Sequence, residues 1–392
     1  MDEKIKKEIY NFGNIPLADN YKSKKKFPIK LMLDVETKLL HIDKVPDRGS
    51  IYSEYDHLSS ASKGNMDHLK SLANLINKEK DVKTILEVGC NDGTFLKYLS
   101  SRFKKYGIDP AKNVYRKKDE DDFIIFHEFL DTSIKEKITS IIKDPIDAII
   151  GINVFAHNES YRDMFLAMYE LLDEDGFAHI EVAYASETIV SGNFDTMYHE
   201  HYCSYTFTAL KNIVESIGFK VSNVEIISSQ GGSLRVTLRK KVSPNEISEN
   251  VKIILQEEKN KGYDDNGFYD DLSKIIDKKI NLINDLFVNK YINDQVLIVG
   301  CPARGVVTAN VCGFYKLKNA IAFDDTPEKQ GMVLPGTNIL VSHPNDINYE
   351  NYKIACLLAW TYEKDLLKRL KDFGFKGKVF IPFPNARFVE IK

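Results

Sequence analysis

Short apolar runs and amphipathic stretches alternate through the middle of the chain. The apolar runs predict strands at residues 84–88, 106–109, 146–152, 177–182, 221–227 and 233–239. Between them, the helical spacing of apolar residues predicts helices at 94–103, 161–172 and 209–217. Alternating strands and helices are typical of a parallel, doubly wound α/β sheet. The pattern therefore predicts such a domain over residues 76–240.

Different patterns flank this central region. Residues 1–75 alternate short apolar runs with turn residues, which predicts a small strand-rich lobe. Residues 241–290 are charged and mostly helical, which predicts a connector. Residues 291–392 return to an α/β pattern, so we predict a second α/β domain there. Outside the central region, strands are predicted at 29–33, 39–42, 296–300, 320–325, 354–360 and 378–381, and helices at 66–78 and up to 310.

Length and charge limit the classes of function. A chain of 392 residues is too long for one simple core and predicts several domains. Its 54 basic and 57 acidic residues give a net charge of −3, which favours neither nucleic acid nor anionic membranes as partners. The chain contains no apolar run of membrane-spanning length and begins with a charged segment unlike a signal peptide. We therefore expect a cytoplasmic protein.

The cysteines argue against disulfides and against a thiolate metal site. There are five of them, an odd number, and no two have the spacing of a CxxC motif. This distribution is typical of a reducing compartment. We expect no metal. The positions are Cys90, Cys203, Cys301, Cys312 and Cys356.

A Gly-rich turn with the sequence Glu-Val-Gly-Cys-Asn-Asp-Gly follows the predicted strand at 84–88. Such a turn brings backbone N–H groups and a helix N-terminus against a ligand. Gly suits positions where a side chain would collide or where φ is positive, and Asn tolerates left-handed geometry. The leading acid and the acid that ends the next strand, placed to bind ribose hydroxyls, favour S-adenosylmethionine over a dinucleotide. The alternative is a tight turn without a ligand. The predicted cofactor residues are Glu87, Gly89, Asn91, Gly93 and Asp109.

A second Gly-rich turn occupies residues 300–305, with the sequence Gly-Cys-Pro-Ala-Arg-Gly. Its rigid proline and its cation suit a phosphate better than an adenine nucleoside. A purely structural turn in a Rossmann-like domain explains the pattern equally well, and the sequence leaves both interpretations open.

The segment Tyr-His-Glu-His-Tyr at 198–202 concentrates acid–base groups in five residues. Its two imidazoles, one carboxylate and two phenols fit neither an amphipathic helix nor a simple strand. Together with a turn that grips a nucleoside, the cluster indicates proton abstraction coupled to group transfer. Because neighbouring side chains on a strand point to opposite faces, Glu200 and His201 serve one site only on an irregular loop. The sequence therefore leaves open which of these two residues is the base and which one orients it.

Several segments together resemble the sugar C-methyltransferases, which act on nucleotide-linked 4-keto-6-deoxy sugars and make branched sugars such as mycarose. The resemblance covers nearly the whole chain. The combination of the Tyr-x-Glu-His core with the Thr-Pro-x-Lys-Gln run is fairly specific. The segments that carry the resemblance are 12–19, 87–93, 153–157, 193–202, 230–235 and 325–330.

The resemblance implies an α/β fold in three parts: a small N-terminal lobe, a central Rossmann-like methyltransferase domain, and a C-terminal Rossmann-like α/β domain that helps to enclose a sugar nucleotide. It also implies that Asn153 lies at the cofactor. The family normally holds zinc on four cysteines of the lobe, but the first cysteine here is Cys90, so we predict no zinc. Where similar proteins place a catalytic tyrosine, the simplest alignment puts His57, with Tyr55 as the alternative.

For such a substrate the chemistry assigns roles to the cluster. A ketone acidifies the adjacent C–H, a base removes the proton, and the enolate attacks the sulfonium methyl group in line. A histidine, with an ordinary pKa of about 6.5, suits the base. We predict His201 as the base and Glu200 as the residue that orients or tunes it. Tyr198 and His157 are predicted to donate hydrogen bonds to the developing oxyanion. For His199 we expect a surface position or a supporting role.

Fixed cations are the expected ligands of the nucleotide pyrophosphate. The predicted substrate-binding residues are Ser59, Arg235, Arg304 and Lys329. For Arg235 the alternative is neutralisation of a neighbouring acid. Two alternatives for the whole chain also remain: an O- or N-methyltransferase that needs no enolate, and an inactive family member that only binds a sugar nucleotide.

Overall fold

Three β-sheets organise the part of the chain that the structure describes. A computed structural model describes residues 6–44, 58–115, 118–229, 232–243 and 246–392. The strands are β1 Lys6–Pro16, β2 Lys26–Asp34, β3 Leu40–Ile42, β4 Thr84–Val88, β5 Lys104–Ile108, β6 Phe123–Phe126, β7 Ile146–Ile152, β8 Leu172–Ala183, β9 Cys203–Ser204, β10 Phe219–Ile227, β11 Ser233–Lys240, β12 Gln295–Val299, β13 Asn319–Phe323, β14 Leu340–Ser342, β15 Ile354–Leu357, β16 Gly377–Ile381 and β17 Arg387–Ile391.

The α-helices mostly connect these strands. They are α1 Lys63–Ile76, α2 Thr94–Tyr98, α3 Lys135–Ile141, α4 Tyr161–Leu171, α5 Ser186–Ser191, α6 Phe207–Ile217, α7 Glu249–Asn260, α8 Asn266–Ile283, α9 Ala303–Val311 and α10 Glu363–Asp372. The segment Asn284–Val288 continues α8 as a π-helical turn. Within the described ranges, none of the helices combines the length and the apolarity that a bilayer crossing requires.

The central sheet has the order β10-β11-β8-β7-β4-β5-β6. Strands β4 to β8 run parallel, and β11 runs antiparallel to both of its neighbours. The chain order runs outward in both directions from the β4–β7 pair. In open α/β sheets, a reversal of this kind leaves a crevice at the carboxyl ends of the two strands, where ligands bind.

The C-terminal sheet repeats this arrangement with the order β14-β13-β12-β15-β16-β17. Its first five strands are parallel, and β17 is antiparallel to β16. Its reversal lies between β12 and β15, so a second crevice opens at the carboxyl ends of those strands. Both crevices begin at a Gly-rich turn.

The N-terminal sheet is antiparallel and has the order β1-β2-β3-β9. Its last strand is supplied from far along the sequence, since Leu40 pairs with Ser204 and His41 with Cys203. The stacked rings of His41 and Tyr202, with centroids 5.4 Å apart, cover the same junction. The lobe is therefore joined directly to the loop that carries the acid–base cluster.

Two sequence-based predictions need correction. The helix predicted at 94–103 ends at Tyr98, because Asn77 caps it: Asn77 Nδ2 donates to the Tyr98 carbonyl at 3.1 Å, and Asn77 Oδ1 accepts from Ser100 N–H at 2.8 Å. The prediction of a wholly parallel central sheet was wrong for β11, which forms an antiparallel hairpin with β10. The sequence analysis also missed β1, β6, β14 and β17, which begin or end their sheets.

Candidate active site

The first Gly-rich turn lies at the crevice of the central sheet, directly after β4. Gly89, Asn91 and Gly93 have φ values of +71°, +49° and +72°, the left-handed region that glycine adopts most easily. Asp109, which follows β5, accepts a hydrogen bond from Asn91 N–H at 2.9 Å and another from Ala111 N–H at 2.9 Å. The acid predicted to bind ribose thus also fixes the shape of the turn.

Packing gives a second reason for the two glycines. A Cβ atom on Gly89 would lie 2.8 Å from Val154 Cγ2, and one on Gly93 would lie 2.9 Å from the ring of Phe123. Neither position has room for a side chain. The backbone of the turn therefore packs directly against the side chains of Val154 and Phe123.

Glu87, the last residue but one of β4, is 5% exposed. Burial raises the pKa of its carboxyl group well above the ordinary value, and the charges of Asp109 and Asp92 raise it further. Its Oε2 atom has no hydrogen-bond partner among the described residues. A buried acceptor of this kind calls for a donor from a ligand, because an unpaired buried polar atom is costly.

The residues before α1 cover the same turn. Ser59 N–H donates to Asn91 Oδ1 at 2.9 Å, and Ser60 N–H donates to Asp92 Oδ2 at 3.0 Å. Asn65 Nδ2 donates to the Ser59 carbonyl at 2.8 Å and holds the segment in place. The structure therefore places Ser59, predicted as a substrate contact, against the Gly-rich turn.

The segment after β7 connects this turn to the acid–base cluster. Asn153 has a φ of +55°, so the chain turns sharply there, and the next side chain, Val154, covers Gly89. Three residues later, His157 Nδ1 donates to the Glu200 carbonyl at 2.7 Å. A single short segment thus touches both the predicted cofactor turn and the predicted catalytic loop.

His201 lies at the centre of the cluster. Its ring stacks on Tyr198, with centroids 4.4 Å apart, and meets the ring of His157 edge to face at 4.9 Å. Burial lowers the pKa of His201 well below its ordinary value, and the nearby His157 and Arg304 lower it further. The imidazole is therefore neutral near pH 7.

The two residues before His201 face different surroundings. Glu200 is 9% exposed, and burial together with the carboxylate of Asp19, to which it is hydrogen-bonded, raises the pKa of Glu200 to about 8. His199 is only 1% exposed and packs its ring edge to face on Phe27 at 5.8 Å. A surface position for His199 is therefore wrong, and a supporting role remains. His57 and Tyr55 lie outside the described residues.

The second Gly-rich turn, after β12, gathers a different set of groups. Cys301 N–H donates to Asp324 Oδ2 at 2.7 Å, while the Cys301 carbonyl accepts from Lys329 Nζ at 3.0 Å and from Tyr21 Oη at 2.8 Å. Arg304 stands in the first turn of α9. Arg304 and Lys329 thus both belong to the surroundings of this turn, and their contact with a pyrophosphate stays a prediction.

Arg235 has a different environment. It donates to Glu181 at 2.7 Å, and His68 Nε2 contacts the other carboxylate oxygen at 2.6 Å. Burial acts to raise the pKa of Glu181, but the hydrogen bonds and charges of His68 and Arg235 outweigh it and hold the value below the ordinary range. Arg235 thus neutralises a buried acid, and its contact with substrate stays a prediction.

Comparison with known proteins supplies an identification. A family model described as a methyltransferase domain matches residues 62–224, and one described as a C-methyltransferase C-terminal domain matches residues 228–384. The C-methyltransferase NovU of Streptomyces niveus is 24% identical over 97% of this chain and 94% of its own length. The chain thus carries a methyltransferase domain followed by a C-methyltransferase C-terminal domain. It is an S-adenosylmethionine-dependent methyltransferase of α/β, Rossmann-like fold.

Solved structures similar to this methyltransferase cover about half of it. Magnesium protoporphyrin IX methyltransferase from Synechocystis PCC 6803, solved with bound SAH, is 12% identical with a TM-score of 0.36, over 50% of this chain and 94% of that one. The cyclopropane synthase MmaA2 from Mycobacterium tuberculosis is 12% identical with a TM-score of 0.36, over 50% of this chain and 100% of that one.

The residues of the methyltransferase fit its cofactor. S-adenosylmethionine carries a sulfonium and an ammonium group, and the crevice presents three buried acids, Glu87, Asp92 and Asp109. The unpartnered Glu87 oxygen offers an acceptor to a cationic donor. Backbone N–H groups of the turn and the N-terminus of α2 lie beside these acids. Glu87, Asp109 and the turn are thus the residues that would hold the cofactor.

Several groups at the site were missed by the sequence analysis. Asp19 contacts Glu200, Tyr21 contacts the second turn, and Trp360 Nε1 donates to Asp195 Oδ2 at 2.8 Å. Of these residues, only Trp360 stands out in the sequence, because it is the single tryptophan of the chain. The contacts of Asp19 and Tyr21 join segments far apart in sequence, and no local pattern marks them.

The described residues contain no group of three or more His, Cys, Asp or Glu side chains arranged to hold a metal ion. All five cysteines lie in the described ranges, and each is buried as a free thiol. Burial raises the pKa of Cys301 and Cys312, which keeps both thiols protonated.

Proposed function

We propose that this enzyme methylates the carbon beside the ketone of a nucleotide-linked 4-keto-6-deoxy sugar, through an enolate formed by a base on the protein. One observation carries the proposal. The segment from Asn153 to His157 touches the cofactor turn at one end and the imidazole cluster at the other. A C–H bond presented to that cluster would therefore lie close to the methyl donor.

His201 is the base in this proposal. In a neutral imidazole, one ring nitrogen carries a proton and the other carries a lone pair that can accept one. The lowered pKa keeps the ring neutral at pH 7 and ready to accept the proton. The cofactor supplies an electrophilic methyl group. As the substrate C–H bond breaks, its proton passes to His201 and its electron pair passes into the enolate. The enolate carbon would then form the new C–C bond to the methyl group, while the S–CH3 bond breaks and sulfur keeps that electron pair as a neutral thioether.

Tyr198 is the proposed donor to the enolate oxygen, and Glu200 tunes the cluster. The pKa of Glu200 is raised to about 8, so its carboxyl group carries a proton near neutral pH. Its hydrogen bond with Asp19 is compatible with one proton held between two carboxyl groups. His157 differs from its predicted role, because its Nδ1 proton is already donated to the Glu200 carbonyl. We infer that His157 orients the loop or accepts a hydrogen bond from a sugar hydroxyl.

The second Gly-rich turn is the proposed site of the nucleotide pyrophosphate. Arg304 lies at the N-terminus of α9, where the helix dipole also favours an anion. Lys329 is held beside it by the Cys301 carbonyl. We propose that the lobe of residues 1–75, the cofactor domain of 76–240 and the C-terminal domain of 291–392, linked by 241–290, enclose the sugar nucleotide in the cytoplasm.

The test is deuterium exchange at the carbon next to the ketone. The enzyme is incubated in deuterated water with a panel of dTDP-linked 4-keto-6-deoxy sugars, with and without S-adenosylmethionine, and exchange is followed by NMR and mass spectrometry. We expect exchange without cofactor and C-methylation with it. In His201→Asn, both are expected to be lost because the base is missing.

His199→Asn is the matched control, since it makes the same change two residues away at a side chain packed on Phe27. It is expected to retain exchange. Methyl transfer to oxygen or nitrogen without exchange would refute the enolate mechanism and favour an O- or N-methyltransferase. Binding of the sugar nucleotide with neither exchange nor transfer would indicate an inactive member of the family.

A further inference from the structure

A buried carboxylate joins the catalytic loop to the C-terminal sheet. Asp195 belongs to the short helical turn Phe194–Thr196 and is 0% exposed. Its Oδ2 atom accepts a hydrogen bond from Trp360 Nε1 at 2.8 Å, whereas Oδ1 has no hydrogen-bond partner among the described residues. A buried carboxylate is costly, so a contact of this kind fixes the geometry of the segment that carries it.

Two charged side chains face Asp195, and both lie on helices in the C-terminal half of the chain. Arg304 lies on α9 and Lys279 on α8, and both lower the pKa of Asp195, although burial raises it by more. The Arg304 guanidinium carbon lies 5.8 Å from the centroid of the Trp360 ring. Lys279 is itself held by the Pro384 carbonyl at 2.7 Å. The carboxylate is therefore enclosed by the C-terminal half of the chain.

The same turn leads directly to the imidazole of the proposed base. Met197 N–H donates to the Phe194 carbonyl at 3.0 Å, and His201 N–H donates to the Tyr198 carbonyl at 2.8 Å, so two successive turns join Asp195 to His201. The Tyr198 ring stacks on the His201 ring, with centroids 4.4 Å apart. A shift of the 194–196 turn would therefore move both rings and change the orientation of His201.

We propose that Asp195 is a positioning residue, and that the hydrogen bond from Trp360 to Asp195 fixes the orientation of His201. This inference rests on the proposed role of His201 as the base. The C-terminal domain thereby has a second role besides that of a binding surface: it aligns the base through one hydrogen bond that crosses the interface.

Trp360→Phe tests the inference, because it removes the N–H donor and keeps an aromatic ring. Loss of a hydrogen bond to a charged group predicts a fall in kcat of about 10- to 100-fold. The dissociation constant for S-adenosylhomocysteine, measured by calorimetry, is expected to stay the same. In 15N-histidine-labelled protein, the His201 signals, assigned with His201→Asn, are expected to shift and broaden as the ring loses its single orientation.

Two further variants separate positioning from general damage. Tyr362→Phe alters a 64% exposed ring two residues from Trp360 and is expected to leave kcat and the His201 signals unchanged. Asp195→Asn keeps an oxygen that can accept from the indole, so it is expected to preserve the His201 signals better than Asp195→Leu. Trp360 is the single tryptophan, so a change in intrinsic fluorescence in Asp195→Leu reports the contact in solution.

An unchanged His201 spectrum in both Trp360→Phe and Asp195→Leu would overturn the inference. A rise in KM for the sugar nucleotide with unchanged kcat would also overturn it, because the pair would then serve binding. The NMR measurement needs no substrate. If the wild-type enzyme methylates no keto sugar, the proposed function fails while the spectrum still decides whether Trp360 and Asp195 position His201.

Discussion

The two Gly-rich turns share one backbone plan and carry opposite charge. In both, the first glycine donates to the last carbonyl of the neighbouring strand, Gly89 to Ile108 at 2.8 Å and Gly300 to Phe323 at 3.0 Å. In both, an acid after that strand accepts from a turn N–H. The first turn adds the buried Glu87, whereas the second adds Arg304. Equivalent scaffolds thus form an acidic crevice, suited to a cationic cofactor, and a basic crevice, which we propose binds an anion.

This comparison shows where specificity lies. A ligand crevice is formed by the glycines, by the strand reversal and by the acid that accepts from the turn. These shared features do not determine which ligand binds. A few side chains around the turn make that choice through their charge. The acid–base cluster lies between the two crevices, since His157 leads to the first and Arg304 to the second.

The largest effect is expected from removing the imidazole between the crevices. In His201→Asn, kcat is expected to fall by about 10²- to 10⁴-fold, the usual contribution of a general base. Binding of S-adenosylhomocysteine and of TDP, measured by calorimetry, is expected to persist because neither turn is altered. A large loss of either affinity would show that His201 belongs to one of the crevices.

Neutralising one charged side chain at each turn tests whether the two turns bind different ligands. Glu87→Gln is expected to weaken S-adenosylmethionine binding by about 10- to 100-fold, because a hydrogen bond to a charged group is lost. TDP binding is expected to stay the same. Arg304→Gln is expected to show the reverse pattern, and the exposed Lys318→Gln serves as its control. Equal losses of both ligands in either variant would contradict a division of labour.

The two first glycines are expected to differ in their tolerance of a methyl group. In Gly89→Ala the new Cβ meets Val154 Cγ2 at 2.8 Å and Val154 Cβ at 2.9 Å, whereas in Gly300→Ala it meets Ala359 Cβ at 2.5 Å, which is the closer clash. We expect losses in the free energy of unfolding of about 1–2 kcal/mol for Gly89→Ala and about 3 kcal/mol for Gly300→Ala. Urea unfolding measures both.

Gly64→Ala is the control for these glycine variants. Gly64 lies in α1, and a Cβ there meets only Ser62 Oγ at 3.8 Å. Alanine in a helix is expected to stabilise the protein by about 0.5–1 kcal/mol. A loss at Gly64 as large as at Gly300 would show that the helix, and not the turn, limits substitution.

The smallest predicted effect is on the pH dependence of cofactor binding. The pKa of Glu87 lies well above its ordinary value, and only its ionised form attracts a cation. As pH falls through that raised pKa, affinity for S-adenosylmethionine is expected to fall by at most about tenfold per pH unit. Calorimetry between about pH 5.5 and 8.5 tests this, and Glu87→Gln is expected to flatten the curve. TDP binding gives the comparison at the second turn.

The raised pKa of Glu87 also makes the free energy of unfolding depend on pH. Without cofactor, the folded state holds the Glu87 proton more tightly than the unfolded chain does. The free energy of unfolding is therefore expected to decrease as pH rises from the ordinary pKa of a glutamate through the raised value. An increase over that range would mean that Glu87 is ionised and paired in the folded protein.

The sequence pattern predicted those elements that depend only on residues close together in the chain. The apolar runs at β4 and β7 were predicted to the residue, and the Gly-rich turns marked both crevices. The end of α2 at Tyr98 was not predictable in this way, because Asn77 caps it from another segment. The edge strand β6, of only four residues, gave too short a signal.

The site was predicted as a set of residue types and not as a geometry. The cluster at 198–202 and the turn acids were visible in the sequence. Their partners were not, since Asp19 reaches Glu200 and Trp360 reaches Asp195 across separations of more than a hundred residues. Arg235 illustrates the limit: its partner Glu181 lies on the neighbouring strand β8, and only the strand register brings them together.

The late position of β9 constrains the order in which the protein assembles during synthesis. The N-terminal sheet stays incomplete until residues 203 and 204 have left the ribosome, because they form its fourth strand. The earlier three strands present an unpaired edge until then, and such edges invite association with other chains. Truncated chains that end before residue 200 are therefore expected to aggregate, while chains that continue past β9 close that edge.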